Sequence, residues 1–139
     1  MDNKILNYLS LARKGGRAEL GEEPVGIAAR ELKAHLVLVA QDASDHTWRR
    51  AKSFVAGTDQ QCLSVPFTKE ELGFVVGRTS LAIAAFTDVA LALAFVKALP
   101  DQDKVKQEVE FLEAKSKKMR QRKKEADAHK KNVRFGKKK

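Results

Sequence analysis

Three short apolar runs, separated by segments with helical spacing, constrain the fold of this chain more than any other feature. They lie at residues 35–40, 63–65 and 81–86. The first and third are almost continuously apolar, which is typical of strands buried on both faces. The order of patterns, two helices followed by alternating strands and helices, predicts an α/β fold. We expect a small three-layer α/β/α sandwich with helices on both faces of a sheet.

Capping and turn residues mark the expected helix starts. The segment 21–24, Gly-Glu-Glu-Pro, should open a second helix that continues through Val25, Ile27 and Ala28 to Leu32. Asp42 at the end of the first run is expected to bond the neighbouring loop. The predicted caps of the other helices are Asp2, the segment 42–45 with Ser44, Thr68 with Glu71 as a capping box, and Thr87-Asp88. Core packing is expected for Trp48, Phe54, Phe74 and Phe86.

Charge divides the chain near Pro100. Residues 1–99 carry 12 Lys/Arg against 11 Asp/Glu, whereas residues 100–139 carry 15 against 7. We therefore predict a folded domain over 1–99 and a basic C-terminal extension over 100–139, either helical or disordered. An apolar stripe of Val105, Val109 and Leu112 should dock the start of this extension on the body or on a partner.

Beyond Ala114 the cations of the extension accumulate. Residues 114–139 hold 13 Lys/Arg and only 2 acids. Such a segment attracts polyanions through the release of condensed counterions, and this requires no particular nucleotide sequence. The expected phosphate contacts are Lys117, Lys118, Arg120, Arg122, Lys123 and Lys124.

No catalytic or metal-binding pattern is present in the sequence. His35, His46 and His129 lack metal-ligand spacing and have no neighbouring nucleophile. The single cysteine, Cys62, lies in a strand-like setting and is expected to behave as a small buried apolar residue. We predict no catalytic site, no metal and no cofactor. The chain has no signal pattern, and its longest apolar stretch is interrupted by polar residues, so a cytoplasmic protein is expected.

An ordered set of segments resembles a known family. The run 36–44, Leu-Val-Leu-Val-Ala-Gln-Asp-Ala-Ser, is preceded by Gly21-Glu22-Glu23 and followed by 69–73, Lys-Glu-Glu-Leu-Gly. Together with 9–17 and 81–88, these segments resemble the bacterial YlxQ-like branch of the L-seven-Ae / L-thirty-e superfamily of kink-turn-binding ribosomal proteins. The resemblance covers residues 3–99. It implies an α/β/α sandwich without catalysis that docks on a sharply bent RNA internal loop.

The resemblance also implies where RNA would bind. In the family, the start of the second helix reads tandem G·A pairs, and the loop before the last strand holds a flipped-out nucleotide. The matching positions here are Gly21, Glu22, Glu23, Gly77, Arg78 and Thr79, and the neighbouring cations are Arg13, Lys14, Arg17 and Lys33. An ordinary capped helix start and a solvated turn are the competing interpretations of these two segments.

Three positions depart from the archaeal motif Gly-x-Asn-Glu-x-x-Lys. They are occupied by Glu23, Pro24 and Ile27. The apolar Ile27 can neither donate a hydrogen bond to guanine nor neutralise a phosphate. Specific kink-turn recognition and a fold that no longer reads RNA both remain open at this point.

From these observations we predict a non-enzymatic, monomeric RNA-binding protein of the ribosomal-protein type. The expected partners are structured RNA, foremost ribosomal RNA, and ribosomal protein neighbours, with no membrane. The alternative is a protein-interaction module in which the stripe of Val105, Val109 and Leu112 recruits a partner and the tail binds polyanions non-specifically. A peripheral protein on anionic lipid is a further alternative, but the region after Ala114 has few bulky apolar residues for insertion.

Overall fold

The structure is a computed structural model that describes the backbone of residues 4–136 and the side chains of residues 4–124. Ten elements follow one another in this part of the chain. They are α1 (Lys4–Lys14), β1 (Ala18–Leu20), α2 (Glu22–Arg30), β2 (Leu36–Ala40), α3 (Asp45–Val55), β3 (Gln61–Val65), α4 (Lys69–Val75), β4 (Ile83–Phe86), α5 (Val89–Lys97) and α6 (Lys106–Gly136). The predicted cap at Asp2 lies outside the described residues.

The four strands form one mixed sheet in the order β1-β4-β2-β3. β2 pairs in parallel with β3, whereas β4 is antiparallel to both β1 and β2. The register places Leu36 opposite Phe86 and Val39 opposite Ile83. The start of β4 therefore lies at the same end of the sheet as the end of β2.

Apolar side chains cover both faces of this sheet. Leu36 and Leu38 of β2 point into a core that also contains buried residues of α1, α4, α5 and α6. Val37 and Val39 point to the opposite face, where residues of α2 and α3 cover them. Because successive strand residues face opposite sides, a continuous apolar run is what two covered faces require. The predicted α/β/α sandwich is confirmed.

The predicted helix caps are confirmed where the structure describes them. The Ser44 side chain accepts a hydrogen bond from the Thr47 N–H, and the Asp88 carboxylate accepts one from the Leu91 N–H. Thr68 and Glu71 form the expected capping box. The Asp42 carboxylate accepts a hydrogen bond of 2.8 Å from the Lys69 N–H, so Asp42 joins the loop after β2 to the start of α4.

Three sequence expectations are wrong. Strand β1 is absent from the predicted elements, because three residues with a central glutamate form no apolar run. Helix α2 ends at Arg30, before the predicted Leu32, because the backbone leaves the helical conformation at Leu32, where φ is 60°. Its buried face consists of Val25, Gly26, Ala28 and Ala29, whereas Ile27 is 47% exposed. Phe74 is 72% exposed, because the buried side of the short helix α4 is formed by its neighbours Leu72 and Gly73.

The first turns of α6 dock on the body. Val105 and Leu112 are buried in the larger core, and Val109 packs against it. Lys97 of α5 forms an ion pair of 3.0 Å with Glu113 of α6. Between the two helices, the Gln102 amide donates to the carbonyl oxygens of Val96, Lys97 and Leu99 at the end of α5. The sequence left two docking surfaces open for this stripe, the body and a partner. In the structure the stripe packs against the body.

The connection between α5 and α6 runs beside the edge strand β3. A groove of about 460 Å³ separates them, lined by residues 63–66 on one side and by residues that include Leu99, Pro100 and Val105 on the other. Pro66 follows directly after β3. Across the described residues, no helix combines the length and the apolar character that a membrane span needs.

Candidate nucleic-acid interface

The N-terminus of α2 differs from those of the next three helices. α3, α4 and α5 each begin with a side chain that accepts a hydrogen bond from a first-turn N–H, whereas Gly21 stands at this position in α2. The first N–H groups of a helix have no intrahelical acceptor. Gly21 has φ of 97°, a left-handed conformation that glycine adopts without steric cost. This helix start therefore presents backbone donors and positive dipole potential to an incoming anion or base oxygen.

The loop between α4 and β4 carries the second predicted segment. Gly77 has φ of 73°, and the Arg78 N–H donates to the Gly73 carbonyl over 2.8 Å. A Cβ added at Gly73 would lie 2.8 Å from both the Arg78 oxygen and the Ser80 nitrogen. Gly73 thus allows the loop to lie directly on α4, and Gly77, Arg78 and Thr79 are all exposed.

The fold brings the two segments together at one end of the sheet. The Gly21 N–H donates to the Ile83 carbonyl over 2.9 Å, which fixes the start of α2 beside the start of β4. A Cβ at Gly21 would lie 3.7 Å from Nη1 of Arg78. The guanidinium group of Arg78 therefore adjoins the uncapped helix start, and one phosphate or carbonyl oxygen could contact both.

The carboxylate of Glu22 is already neutralised within the protein. It accepts a hydrogen bond of 2.7 Å from Nε of Arg50 on α3. The Arg50 guanidinium also lies over the Phe54 ring, 5.0 Å from its centroid. A Cβ at Gly26 would be 3.0 Å from that same ring, so α2 and α3 approach closely at this point. Glu22 consequently adds less repulsion toward RNA than its formal charge suggests.

Glu23 and Ile27 lie on the outer surface of α2. Both side chains are exposed and line a groove of about 480 Å³, whose lining also includes Glu19, Glu31 and Lys33. Three carboxylates against one lysine give this groove an acidic character. All three departures from the family motif, Glu23, Pro24 and Ile27, thus line this groove, and a carboxylate and an apolar side chain at its surface disfavour contact with phosphate.

The remaining predicted cations do not converge on Arg78. Arg13 and Lys14 are exposed at the end of α1. Arg17 lies 3.7 Å from Asp88 as an ion pair across the start of α5. Lys33 follows the opposite end of α2 and pairs with Glu31 at 3.4 Å. Of the predicted body residues, the structure brings Gly21, Glu22, Glu23 and Arg78 with its two neighbours to one place.

The predicted phosphate contacts of the extension lie on α6. All six, Lys117, Lys118, Arg120, Arg122, Lys123 and Lys124, are exposed. Arg120 also donates to the Ser116 hydroxyl over 3.3 Å. Because consecutive helical residues differ by about 100° in direction, these cations surround the helix instead of forming one stripe.

Sequence reasoning does not identify several residues of the interface. Arg50 and Phe54 are one helical turn apart on α3, and this spacing together with Gly26 is the available signal for the close α2–α3 contact. In the sequence, Gly73 is notable only as the last residue of the segment 69–73 that resembles the family. Phe74, on the helix that supports the Arg78 loop, is expected in the core and is exposed instead. Trp48, by contrast, packs partly buried against the smaller core with Lys52 over its ring, as expected.

Neither the thiol nor the acidic groups of the described region form a chemical centre. Burial raises the pKa of the Cys62 thiol to about 12, an effect that Lys52 only partly offsets. The sulfur therefore stays protonated and unreactive near neutral pH. Within residues 4–124, no group of three His, Cys, Asp or Glu side chains is placed to hold a metal ion.

The fold and this interface define an α/β/α sandwich protein with an exposed, uncapped helix start beside a loop arginine. The RNA-binding protein YlxQ of Enterococcus faecium is 31% identical over 75 residues, which cover 54% of this chain and 72% of that protein. The chain belongs to the YlxQ branch of the L-seven-Ae / L-thirty-e superfamily, as the resemblance predicted. A comparison with models of known protein families gives no match.

Two solved structures share the fold. A protein of unknown function from Bacillus halodurans superimposes with a TM-score of 0.63 at 22% identity, covering 69% of this chain and 96% of that one. The 15.5kD RNA binding protein of Giardia lamblia superimposes with a TM-score of 0.58 at 16% identity, covering 81% and 92%. Because the sequence identities are this low, these two structures establish a shared fold and not a shared function.

Proposed function

We propose that this protein is a non-enzymatic RNA-binding protein that docks the start of α2 and the Arg78 loop on a structured RNA and holds neighbouring phosphates with α6. The observation that carries this proposal is the position of Arg78 beside Gly21, with 3.7 Å from Nη1 to a Cβ on that glycine. Gly21 has no side chain to obstruct an approaching RNA. The first N–H groups of α2 and the Arg78 guanidinium can both donate hydrogen bonds to RNA oxygens.

The relatives support an RNA partner. The Enterococcus relative and the Giardia structure are both named as RNA-binding proteins. By extension, the RNA of this protein would be a kink-turn or a similar bent internal loop, and its setting would be the cytoplasmic ribosome or ribosome assembly. Ribosomal RNA and adjoining ribosomal proteins are the partners that follow from this proposal.

The alternative, a protein-interaction module that no longer reads RNA, keeps one supporting observation. Glu23 and Ile27 occupy the exposed face of α2 and give it an acidic groove. The stripe that would recruit a partner in that interpretation is buried against the body. The alternative therefore depends on the α2 surface alone.

The first experiment compares a kink-turn RNA with the same RNA after replacement of its tandem G·A pairs. Fluorescence anisotropy is measured with the full chain, with Arg78→Ala, and with Arg49→Ala, which removes the same charge from an exposed position on α3. We expect Arg78→Ala to lower affinity for the kink-turn and to reduce the discrimination between the two RNAs. We expect Arg49→Ala to change neither property by more than a small factor.

Restoring the family motif provides a gain-of-function test. Glu23→Asn combined with Ile27→Lys removes a carboxylate and adds a cation on the exposed face of α2, so affinity for the kink-turn should rise. Glu23→Asn combined with Leu11→Lys has the same charge change, but places the lysine on the exposed face of α1. Equal affinity of the two double variants, together with no discrimination by the wild type, would favour the alternative module.

A further inference from the structure

A third groove lies at the opposite end of the sheet from the Arg78 loop. It has a volume of about 420 Å³ and is formed where α6 passes the turn after α2 and the start of β2. The five residues of β2 separate the two sites by roughly 13 Å along the strand. No residue of the candidate nucleic-acid interface on α2 lines this groove.

The groove gathers exposed apolar side chains from distant parts of the chain. Leu32, Phe111 and Met119 are 57%, 37% and 46% exposed, and all three line it. They are three of the six large hydrophobic residues that are exposed in the described chain. Leu32 has φ of 60°, and it is the one non-glycine residue with a positive φ among those described. This conformation closes the C-terminus of α2, where the Leu32 and Lys33 N–H groups donate to the Ala29 and Ala28 carbonyl oxygens, and it turns the Leu32 side chain toward the groove.

A largely buried cation and a neutral histidine form the polar wall of the groove. The Lys115 side chain is only 18% exposed, and its Nζ lies 2.8 Å from Nδ1 of His35 and 3.4 Å from the Asp59 carboxylate. An ammonium group can only donate, so Nδ1 must accept and the ring proton belongs on Nε2. Burial and the charge of Lys115 lower the pKa of His35, which keeps the ring neutral at pH 7. His35 can therefore donate one N–H bond to a ligand.

The rim of the groove is continuous with the cationic part of α6. Phe111, Lys115, Lys118 and Arg122 recur at helical spacing, so they share one side of this helix. Lys118 and Arg122 are exposed and form no ion pair with any side chain in residues 4–124. An RNA strand held along these phosphate-binding cations would thus have its bases next to an apolar surface.

We propose that this groove binds an unpaired nucleotide of the RNA, with its base against Phe111, Met119 and Leu32 and its phosphate on Lys118 and Arg122. This inference rests on the proposed RNA-binding function, to which it adds a second contact and a preference for unpaired nucleotides. Unpaired bases are the part of RNA that proteins commonly hold on aromatic and apolar side chains.

Two other occupants fit this groove less well than a nucleotide. A second copy of this face would bring Lys118 and Arg122 against the same cations, which would repel. An acidic peptide would match these charges too, but the groove combines them with the exposed aromatic ring of Phe111. Cations beside an aromatic ring on which a base can stack fit a nucleotide better than a peptide carboxylate.

The first test locates the contact in the unaltered full chain. An oligouridylate of about twelve nucleotides, within the site sizes of single-strand-binding proteins, carries 5-iodouridine and is photocrosslinked to the protein. We expect mass spectrometry to find adducts on Phe111, His35 or Met119. Adducts confined to other aromatic residues, such as Phe74 or Trp48, would overturn the proposal.

The second test uses charge-matched variants of the full chain. Lys118→Ala with Arg122→Ala removes two cations from the groove, and Lys117→Ala with Lys124→Ala removes two exposed cations that do not line it. If the groove holds a nucleotide, the first pair should weaken oligouridylate binding more than the second. Phe111→Ala should weaken it roughly fivefold or more, while binding to an RNA duplex of equal length stays nearly unchanged.

The outcomes separate this proposal from the proposed function. Equal reductions for the two charge pairs, with no effect of Phe111→Ala, would reject the groove while leaving RNA binding intact; the acidic peptide would then be the remaining occupant. Binding of neither oligouridylate nor kink-turn RNA by the wild type would reject both. Kink-turn binding that depends on Arg78 alone would reject only the groove.

Discussion

Gly73 shows how one missing side chain positions the candidate interface. Its hydrogen atom occupies the place where a Cβ would meet the Arg78 carbonyl and the Ser80 backbone. These neighbours are backbone atoms, which cannot rotate away as the end of a side chain can. The position of Arg78 relative to Gly21 therefore depends on a residue that contacts no RNA in the proposed complex.

Gly73→Ala is expected to destabilise the protein and displace the Arg78 loop. An added methyl group 2.8 Å from backbone atoms forces a shift, and such overpacking costs about 1–3 kcal/mol. Urea denaturation measures the decrease in stability. Gly15→Ala is the control, because its nearest neighbour would lie at 3.5 Å, an ordinary contact distance. A Gly73→Ala protein as stable as the control would contradict the close approach of the loop.

For single residues, the sequence predicts local roles such as helix capping better than it predicts which side chains are buried. The caps of α3, α4 and α5 were predictable, because a hydroxyl or carboxylate needs only a local N–H three residues ahead. The exposure of Phe74 was not predictable, since it depends on which side of α4 meets the sheet. The contact between Glu22 and Arg50 joins residues 28 positions apart and requires the packing of α2 on α3.

Among the elements, α6 is attached to the body by a short buried stretch. Leu112 is fully buried and Ser116 is 8% exposed, whereas every side chain over 117–124 is exposed. The docked part of α6 covers core residues of α5. Removal of residues 100–139 would therefore expose apolar surface of the body, so substitutions in the full chain are better tests of the extension.

Leu112→Ala should lower the free energy of unfolding by about 2–5 kcal/mol, because it leaves a cavity between α5 and α6. Met119→Ala, on the exposed part of the same helix, should change it by less than about 0.5 kcal/mol. Both variants are compared by urea denaturation. Similar stabilities of the two variants would mean that α6 does not contribute to the core in solution.

His35, which lies against Lys115 of α6, is expected to make the stability of the protein dependent on pH. Burial and Lys115 lower the pKa of His35, while Asp59 and Asp88 oppose this shift. The unfolded chain then binds a proton more readily than the folded one as pH falls below 6.5, so stability should decrease there and level off once the folded protein is protonated too.

Urea midpoints between neutral pH and mildly acidic pH test this expectation. His35→Gln should flatten the dependence, since the group that titrates is gone. His46→Gln, a change at an exposed histidine on α3, should leave it as in the wild type. If the urea midpoints of His35→Gln and of the wild type change with pH in the same way, His35 is not the cause of the pH dependence.

The sheet illustrates which elements a sequence reveals. β2 and β4 were predictable because two covered faces demand continuous apolar runs. β1 was not, because its pairing with β4 is a property of the partner strand and needs only three residues. The antiparallel direction of β4 likewise follows from the assembled layers and not from its own composition.

For the whole molecule, charge separates the body from the extension more clearly than structure does. The extension has most of the net charge, yet its first turns belong to the core. Replacement of Lys117, Lys118, Arg120, Arg122, Lys123 and Lys124 by glutamine should lower affinity for all RNAs. Binding should also depend less on salt. The slope of log affinity against log salt concentration should become shallower by about 0.7–0.9 for each phosphate that the protein no longer neutralises.

Anisotropy titrations at several salt concentrations, with kink-turn RNA and with a plain duplex, measure these slopes. Affinity for the two RNAs should fall in similar proportion, because interactions with phosphate carry no sequence information. Arg78→Ala should instead affect the kink-turn selectively. If the variant with all six substitutions shows the same salt dependence as the wild type, α6 does not bind phosphate.

The groove beside β3 also bears on how the protein avoids aggregation. An edge strand offers unpaired backbone groups to any other extended chain, and proteins commonly protect it with a loop or end it with proline. Here Pro66 directly follows β3, the segment from Leu99 to Val105 faces the last part of this strand across the groove, and the opposite edge, β1, has three residues. Another extended chain would therefore meet a proline and a neighbouring segment at the end of β3 and a very short strand at β1, which limits intermolecular strand pairing.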